Sequence, residues 1–454
     1  MTPQPMPHTS RTVRSGRTIV VGLGRTGLSC ARFLHSRGID FAVTDSRAAP
    51  PEADALKALA PGAELRVGAF DQSLLEGATQ IVASPGVSLD EPFMQAAAAR
   101  GVQIVGDIEL FVREAKAPIA AITGTNGKST VTTLVARMAE AAGKRAIAAG
   151  NLGQPVLDLL EQPLPDIYVL ELSSFQLDTT YSLRAAVATV LNVTPDHMDR
   201  YAGFDAYAAS KAHIFEGSQA AVLNLDDPAV RAMASRVPSR IGFSLVRDPQ
   251  AHYYAQMNGG DTVLMRAGER LIAMSELKIA GLHNAANALA SIAMCDALKL
   301  PLAPCLIALR EFGGLAHRSQ FIAEVDGVRY VDDSKGTNVG ATLAAVAGMP
   351  GSLVVIAGGQ GKGQDFAPLA AAFRNKVRHV VLIGQDAKLI DAALRGICTT
   401  EIASDMKAAV KASASAARKG ETVLLSPACA SLDMFRDYAH RGDMFAAAVR
   451  GLTS

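Results

Sequence analysis

Residues 120–133 read AAITGTNGKSTVTT, and this stretch decides the fold. Ile119 to Ile122 is apolar and predicts a buried strand. Thr123-Gly124-Thr125-Asn126-Gly127 forms a turn, and Lys128-Ser129-Thr130 opens an amphipathic helix running to about Ala142, with Gly143 as its C-cap. Glycines let the backbone wrap a phosphate chain with its N–H groups inward, and the helix N-terminus adds partial positive charge. Lys128 is expected to reach the terminal phosphates, and Ser129 or Thr130 to hold magnesium. The stretch therefore predicts a nucleoside triphosphate site. The general phosphate-loop pattern has a glycine five residues before the Gly-Lys pair, where this chain has Ile122, so the loop is a shortened variant. The bland alternative is a strand-to-helix turn with an incidental lysine.

The chain has 454 residues, enough for about three domains. It is 49% apolar and 19% charged, which suits sizeable cores, and its net charge of +1 argues against a nucleic-acid binder working by electrostatics. Five scattered cysteines lack metal-ligand spacing and read as reduced core residues of a cytoplasmic protein. Residues 1–16 read as a flexible tail, neither signal peptide nor anchor. No apolar run is long enough to span a bilayer.

Upstream, Thr18 to Val21 is a β-rich run leading into Gly22-Leu23-Gly24-Arg25-Thr26-Gly27, with a helix from Leu28 to Ser36. A second strand, Phe41 to Thr44, ends on Asp45, at the spacing of a ribose-binding acid. Strand Gln80 to Ala83 runs into Ser84-Pro85-Gly86. A glycine-rich turn at a helix N-terminus binds any diphosphate, so a dinucleotide cofactor is one reading and tight βα packing the bland one. The first domain is expected to end near residue 110.

Downstream, Asn151-Leu152-Gly153 follows strand Ala146 to Ala149. Strand Tyr168 to Leu172 carries Glu171 and precedes Ser173-Ser174-Phe175-Gln176. Strand Val187 to Asn192 empties into Thr194-Pro195-Asp196-His197. Strand ends of an open parallel sheet line one edge, so the phosphate loop, Glu171 and His197 should converge there as ligands for magnesium. A lone histidine after a strand is more often structural. Helix Phe204 to Phe215 bears Lys211, whose ammonium cannot ligate a metal. It pairs with phosphate, is carbamylated, or is a solvated surface lysine, which the residues alone favour. Asn284 and Asn287 sit one turn apart at the start of a helix ending near Leu300. From about Leu315, strand-and-turn units predict a doubly wound α/β domain. Arg318, Lys335 and Lys362 make one sheet edge cationic, suited to an anionic substrate.

Nine motifs stand in order: TGTNGKST, GNLG, ELSSFQL, NVTPDHMDRY, GLHNAANALA, AHR, DDSKGTN, GGQGKG and SPACASLDMF. Together they resemble the bacterial Mur ligases over nearly the whole chain. The resemblance implies an α/β protein of three domains: a UDP-sugar-binding Rossmann-like domain (1–110), a central ATP-binding domain of phosphate-loop type (111–314) and a Rossmann-like amino-acid-binding domain (315–454). It implies a cytoplasmic, monomeric, ATP-dependent amide ligase that adds D-glutamate to UDP-N-acetylmuramoyl-L-alanine through an acyl phosphate, in peptidoglycan precursor synthesis. By the same resemblance, Gly124 to Thr130, Asn284, Asn287, Arg318 and Asp333 bind ATP. Leu23, Gly24, Arg25, Thr26, Asp45, Ser46, Arg47, Ser84, Pro85, Gly86, Asn151, Ser173 and Gln176 hold the UDP-sugar. Lys335, Thr337, Lys362, Ser431, Leu432 and Tyr438 hold D-glutamate. Two magnesium ions fall to Ser129, Thr130, Glu171, His197 and carbamylated Lys211, and the catalytic set is Lys128, Glu171, His197, Lys211 and Lys335. The family often has Phe at Tyr438 and Ala at Gly336. Rival readings are a sibling ligase adding L-alanine, a diamino acid or a dipeptide, a folylpolyglutamate synthase, an L-glutamate ligase, a nicotinamide-dependent dehydrogenase and a non-enzymatic nucleotide switch.

Overall fold

The computed structural model describes residues 16–233 and 237–452, so the expected tail lies almost wholly outside the described residues. No described helix is long and apolar enough to cross a membrane. The described residues pack into two compact units. One takes the chain up to Pro118 with Ala149–Leu164 and Leu172–Arg184. The other takes Ile119–Ala148, Pro165–Glu171 and the chain from Ala185 on.

The first unit is built on five strands: β1 (Arg17–Val21), β2 (Phe41–Asp45), β3 (Glu64–Val67), β4 (Ala78–Ala83) and β5 (Gln103–Val105), in the order β3-β2-β1-β4-β5 and parallel throughout. The chain runs outward from β1 to β3 and then returns to β4 on the other side of β1. That reversal opens a crevice beyond the C-terminal ends of β1 and β4, where the Gly22–Gly27 and Ser84–Gly86 turns lie.

The second unit holds two sheets. The first contains β6 (Ile119–Thr123), β7 (Ala146–Gly150), β8 (Ile167–Glu171), β9 (Val187–Val190), β10 (Ala220–Asn224), β11 (Ser239–Ser244), β12 (Ala251–Asn258), β13 (Asp261–Arg266) and β14 (Glu269–Ala273), in the order β14-β13-β12-β11-β10-β9-β6-β8-β7. Every residue of β6 is buried, as a central strand with both faces covered requires. Helix Lys128–Ala141 and helix Leu282–Ala297 contribute Leu134, Val135, Leu289 and Ile292 to the core around it. The β12–β13–β14 extension is antiparallel and was not expected from the sequence.

The other sheet contains β15 (Gln320–Val325), β16 (Val328–Asp332), β17 (Leu353–Gly358), β18 (Val377–Ile383), β19 (Thr399–Ile402) and β20 (Thr422–Leu425), in the order β15-β16-β20-β17-β18-β19. Side chains alternate between faces along a strand. Thus Leu353, Val355 and Ala357 enter one core while Val354 and Ile356 enter another. The sheet is buried on both sides, as its parallel strands demand, and only β15 is antiparallel.

Candidate functional site

Strand register sets the site. Ile122 lies beside Glu171 and Thr123 beside Val190, so the phosphate loop, Glu171 and the segment after β9 leave the sheet at one edge. In the last sheet Asp332 and Ile356 flank Leu425 and Gly358 flanks Ile383, which gathers the loops after β16, β17, β18 and β20 in the same way.

The first unit has a cavity of about 610 Å³ at its crevice. Gly24, Arg25, Thr26, Asp45, Ser46, Arg47, Ser84, Pro85, Gly86, Asn151 and Gln176, all named from the sequence, line it together with Phe70, Asp107 and Pro155. Leu23 stands behind this wall, and Ser173 caps the short helix Ser174–Leu177 through a reciprocal bond pair with Gln176. Asp45 is engaged by the protein itself. Its carboxylate accepts from Leu23 N at 2.6 Å and from Arg47 N, Nε and Nη2 at 2.6–2.8 Å. The Arg47 hydrogen bonds, with help from Leu23, hold its pKa down at about 2 despite burial. The carboxylate therefore braces the glycine-rich turn.

The second unit has a cavity of about 260 Å³, lined by Asn126, Gly127, Thr130, Asn284, Asn287, Arg318, Asp333 and Lys335 among the expected residues. Gly127 has φ 84°, and a Cβ there would run into Asn287 Oδ1, so glycine is required on both counts. Lys128 donates to the carbonyls of Gly124 and Thr125 at 2.8 and 2.9 Å, arching over its own loop. Ser129 Oγ accepts from Arg318 Nη2 at 2.7 Å. Thr125 is buried, its hydroxyl 3.1 Å from Thr194 O and 3.2 Å from Tyr207 Oη. Residues the sequence reading missed fix the loop from outside. Asn192 accepts from Asn126 N at 2.8 Å and donates to Asn126 O at 3.0 Å. Asn338 pairs with the Asn126 side chain and donates to Asp196 Oδ2 at 3.2 Å. Both asparagines lie in motifs already singled out; the signal for Asn192 was a polar side chain just past a strand, and for Asn338 a capping residue at the start of helix Val339–Gly348.

The electrostatics are those of an anion site. Burial lowers the pKa of Lys128, and Arg318 and Lys362 lower it further, while Glu171 and Asp196 oppose. Lys335 falls to about 8, through burial first and then through Arg318 and Lys128. Burial also lowers Arg318 and lifts Asp333 to about 7, against hydrogen bonds from Ser426 and Ser319. Four cations thus stand within reach of one another, an arrangement that dense negative charge relieves.

Glu171 ends β8 at 2% exposure. His197 sits at φ 57° with its pKa lowered to about 4, chiefly by burial, so it is a neutral imidazole. Lys211 is not a solvated surface residue. It is 1% exposed, donates to Gly124 O at 3.1 Å and stacks 4.5 Å from the Tyr207 ring centroid. Among the described residues no three acidic, histidine or cysteine side chains cluster as a metal site. A hydroxyl, a carboxylate and an imidazole nevertheless suit magnesium bound with phosphate, which uses one or two carboxylates and takes its other ligands from phosphate and water.

Of the remaining expected group, Lys335 stacks on Tyr438 at 3.8 Å from the ring centroid, and Thr337 follows it in the same turn. Lys362, at φ 54°, pairs with Asp196 Oδ1 at 2.6 Å. Burial alone would raise Asp196, yet Lys362 and His197 hold it below the usual carboxylate range. Ser431 is buried and Leu432 is 68% exposed.

Family models match along the chain: a MurD-like Mur ligase N-terminal domain at residues 16–106, the Mur ligase middle domain at 122–295 and the Mur ligase glutamate ligase domain at 317–429. The UDP-N-acetylmuramoylalanine–D-glutamate ligase of Nitrosococcus oceani is 51% identical over 440 residues, covering 96% of this chain and 97% of that one. The enzyme of that name from Methylobacillus flagellatus is 50% identical over 444 residues, covering 97% and 98%. Among solved structures, the UDP-N-acetylmuramate-alanine ligase of Thermotoga maritima aligns at TM-score 0.60 and 20% identity, over 96% of this chain and 100% of that one, and shares the fold. Matched in all three domains and half-identical to such relatives along nearly its full length, the chain belongs to the Mur ligase family.

Proposed function

We propose that this chain is the ATP-dependent ligase that joins D-glutamate to UDP-N-acetylmuramoyl-L-alanine in peptidoglycan precursor synthesis. The observation that carries this reading is the four-cation cluster of Lys128, Arg318, Lys335 and Lys362 around the phosphate loop, in a chain half-identical to D-glutamate ligases. A carboxylate is a poor electrophile because oxide would have to leave. Its oxygen therefore attacks the γ-phosphorus of ATP, the bond to ADP breaks, and an acyl phosphate forms. The amine of D-glutamate then attacks the acyl carbon, loses a proton, and phosphate leaves as the amide closes. The chain's part is to position the reactants and neutralise charge.

In this reading the division of labour is that of residues 1–110, 111–314 and 315–454. The cavity walled by Gly24–Thr26, Asp45–Arg47, Ser84–Gly86, Asn151 and Gln176, with Leu23 and Ser173 behind it, takes the UDP-sugar. Gly124–Thr130, Asn284, Asn287, Arg318 and Asp333 take ATP, and Lys335, Thr337, Lys362, Ser431, Leu432 and Tyr438 take D-glutamate. Ser129, Thr130, Glu171 and His197 would hold magnesium, with Lys211 joining them as a carbamate. Two bound ions would screen the transferring phosphoryl group. In this reading the chain acts as a monomer. Three charged, water-soluble substrates favour the cytoplasm.

The test is phosphate release with ATP, magnesium, bicarbonate and UDP-N-acetylmuramoyl-L-alanine, with D- or L-glutamate added separately and the product weighed. Release only with D-glutamate, giving an amide whose mass is that of the two substrates less one water, is expected. Turnover with L-glutamate alone would overturn the stereochemical assignment, and silence with both would point to a sibling ligase.

A further inference from the structure

His317 belongs to a motif noted in the sequence but carries none of the roles above. It adopts φ 60°, a left-handed conformation that costs a histidine energy unless its surroundings impose it. The imposing partner is Asp332, fully buried at the end of β16. Its Oδ2 lies 2.7 Å from His317 Nδ1, and its Oδ1 accepts from Ser334 N at 2.8 Å. The pair packs so closely on helix Tyr438–Arg450 that a Cβ at Gly442 would collide with both side chains. The residue between His317 and Ser319 is Arg318, whose guanidinium reaches Ser129 on the phosphate-loop helix. Ser319 is also left-handed, at φ 48°, and its N–H is held by Asp333 Oδ1 at 3.1 Å. Two adjacent acids thus tie down the two residues that flank one arginine. The His317 carbonyl, in turn, accepts from Lys335 N at 3.0 Å.

We propose that Asp332 and His317 are positioning residues: their side-chain pair fixes the backbone turn that aims Arg318 at the phosphate loop and sets Lys335 beside it. Neither side chain need touch a substrate. The inference deepens the ligase reading and rests on ATP binding at the loop.

The test uses the full chain with Asp332→Ala, Asp332→Asn, His317→Ala and His317→Asn. KM for ATP and kcat are measured beside the dissociation constant of UDP, whose proposed wall shares no residue with this turn. Asp332→Ala is expected to raise KM for ATP by about tenfold, the loss typical of a charge-assisted hydrogen bond, and to lower kcat. UDP affinity should stay within about twofold. Asp332→Asn keeps the hydrogen-bonding shape and should recover most of the loss. His317→Asn tolerates the left-handed backbone but cannot span to Asp332, so it should fall between wild type and His317→Ala. An Asp332→Ala enzyme with unchanged KM for ATP, a parallel loss of ATP and UDP, or an Asp332→Asn enzyme no better than the alanine variant would each overturn the proposal. If Asp332→Ala does not fold, an unchanged KM in His317→Asn overturns it equally. A wild-type chain that does not turn over ATP would defeat the ligase reading instead.

Discussion

Replacing Asp45 separates two jobs for one carboxylate. A residue at that spacing is expected to bind a ribose or a base edge, yet here it is saturated by Leu23 N and Arg47. Its pKa falls from 3.8 to about 2, which corresponds to about 2.5 kcal/mol of stability at neutral pH. Arg47 is half exposed, so screening trims the pair's share to about 1–2 kcal/mol. Because the folded pKa is the lower one, this contribution is full above pH ~4 and is lost as pH falls towards 2. Asp45→Asn keeps an acceptor for Leu23 N and should lose only the ion pair. Asp45→Ala also strands a buried N–H, adding about 1–3 kcal/mol. The assay is hydrogen exchange of the peptide spanning Gly22 to Thr26, read alongside UDP affinity. Exchange should accelerate in the order wild type, Asn, Ala without any ligand. If both variants exchange like wild type while UDP affinity drops, Asp45 is a ligand contact and the bracing argument is wrong.

Three further outcomes are expected. Asn192→Ala removes both bonds to the Asn126 peptide, and should raise KM for ATP by about tenfold with little change in melting temperature; an equal effect on UDP binding would contradict a local role. Lys335 loses its charge as pH rises through about 8, so kcat/KM should fall along that limb, and Lys335→Arg should move the limb upward; a limb unmoved by the arginine belongs to another group. Gly127→Ala forces a side chain into a left-handed residue and onto Asn287, and should cost about 1–2 kcal/mol from the backbone alone while weakening ATP binding. Calorimetry with an ATP analogue checks it, and wild-type affinity would refute the contact.

Most of the parallel strands and their loops were legible because they are apolar runs ending in glycine or a small polar residue, whereas Glu64–Val67, Gln103–Val105, Ala220–Asn224 and Thr399–Ile402 were not read as strands. Ile119–Thr123 and Thr422–Leu425 are plain cases. Residues 239–273 were not legible. Their strands are partly exposed, and the switch from parallel pairing at β11 to antiparallel pairing at β12–β14 is decided by neighbours along the sheet rather than by the local pattern. Lys211 illustrates a second limit. One lysine on a weakly amphipathic helix looks solvated until the phosphate loop and Tyr207 close over it. Asn192, Asp196 and Asn338 were hidden for a related reason. Their importance lies in contacts reaching across 66 to 212 residues of sequence, which no local spacing records.

In the proposed reading, in which Lys362 receives the glutamate carboxylate, its ion pair with Asp196 has a consequence for affinity. A carboxylate arriving from solution at that ammonium meets one already supplied by the protein at very high effective concentration, and it must share the site or displace its rival. The observed affinity for an amino acid is then the intrinsic one scaled by the fraction of time Lys362 is released. Weakening the internal rival, as in Asp196→Asn, should lower KM for glutamate even if kcat suffers, and a raised KM would show that Asp196 recruits rather than competes. In such a site the chain itself is the first competitive inhibitor.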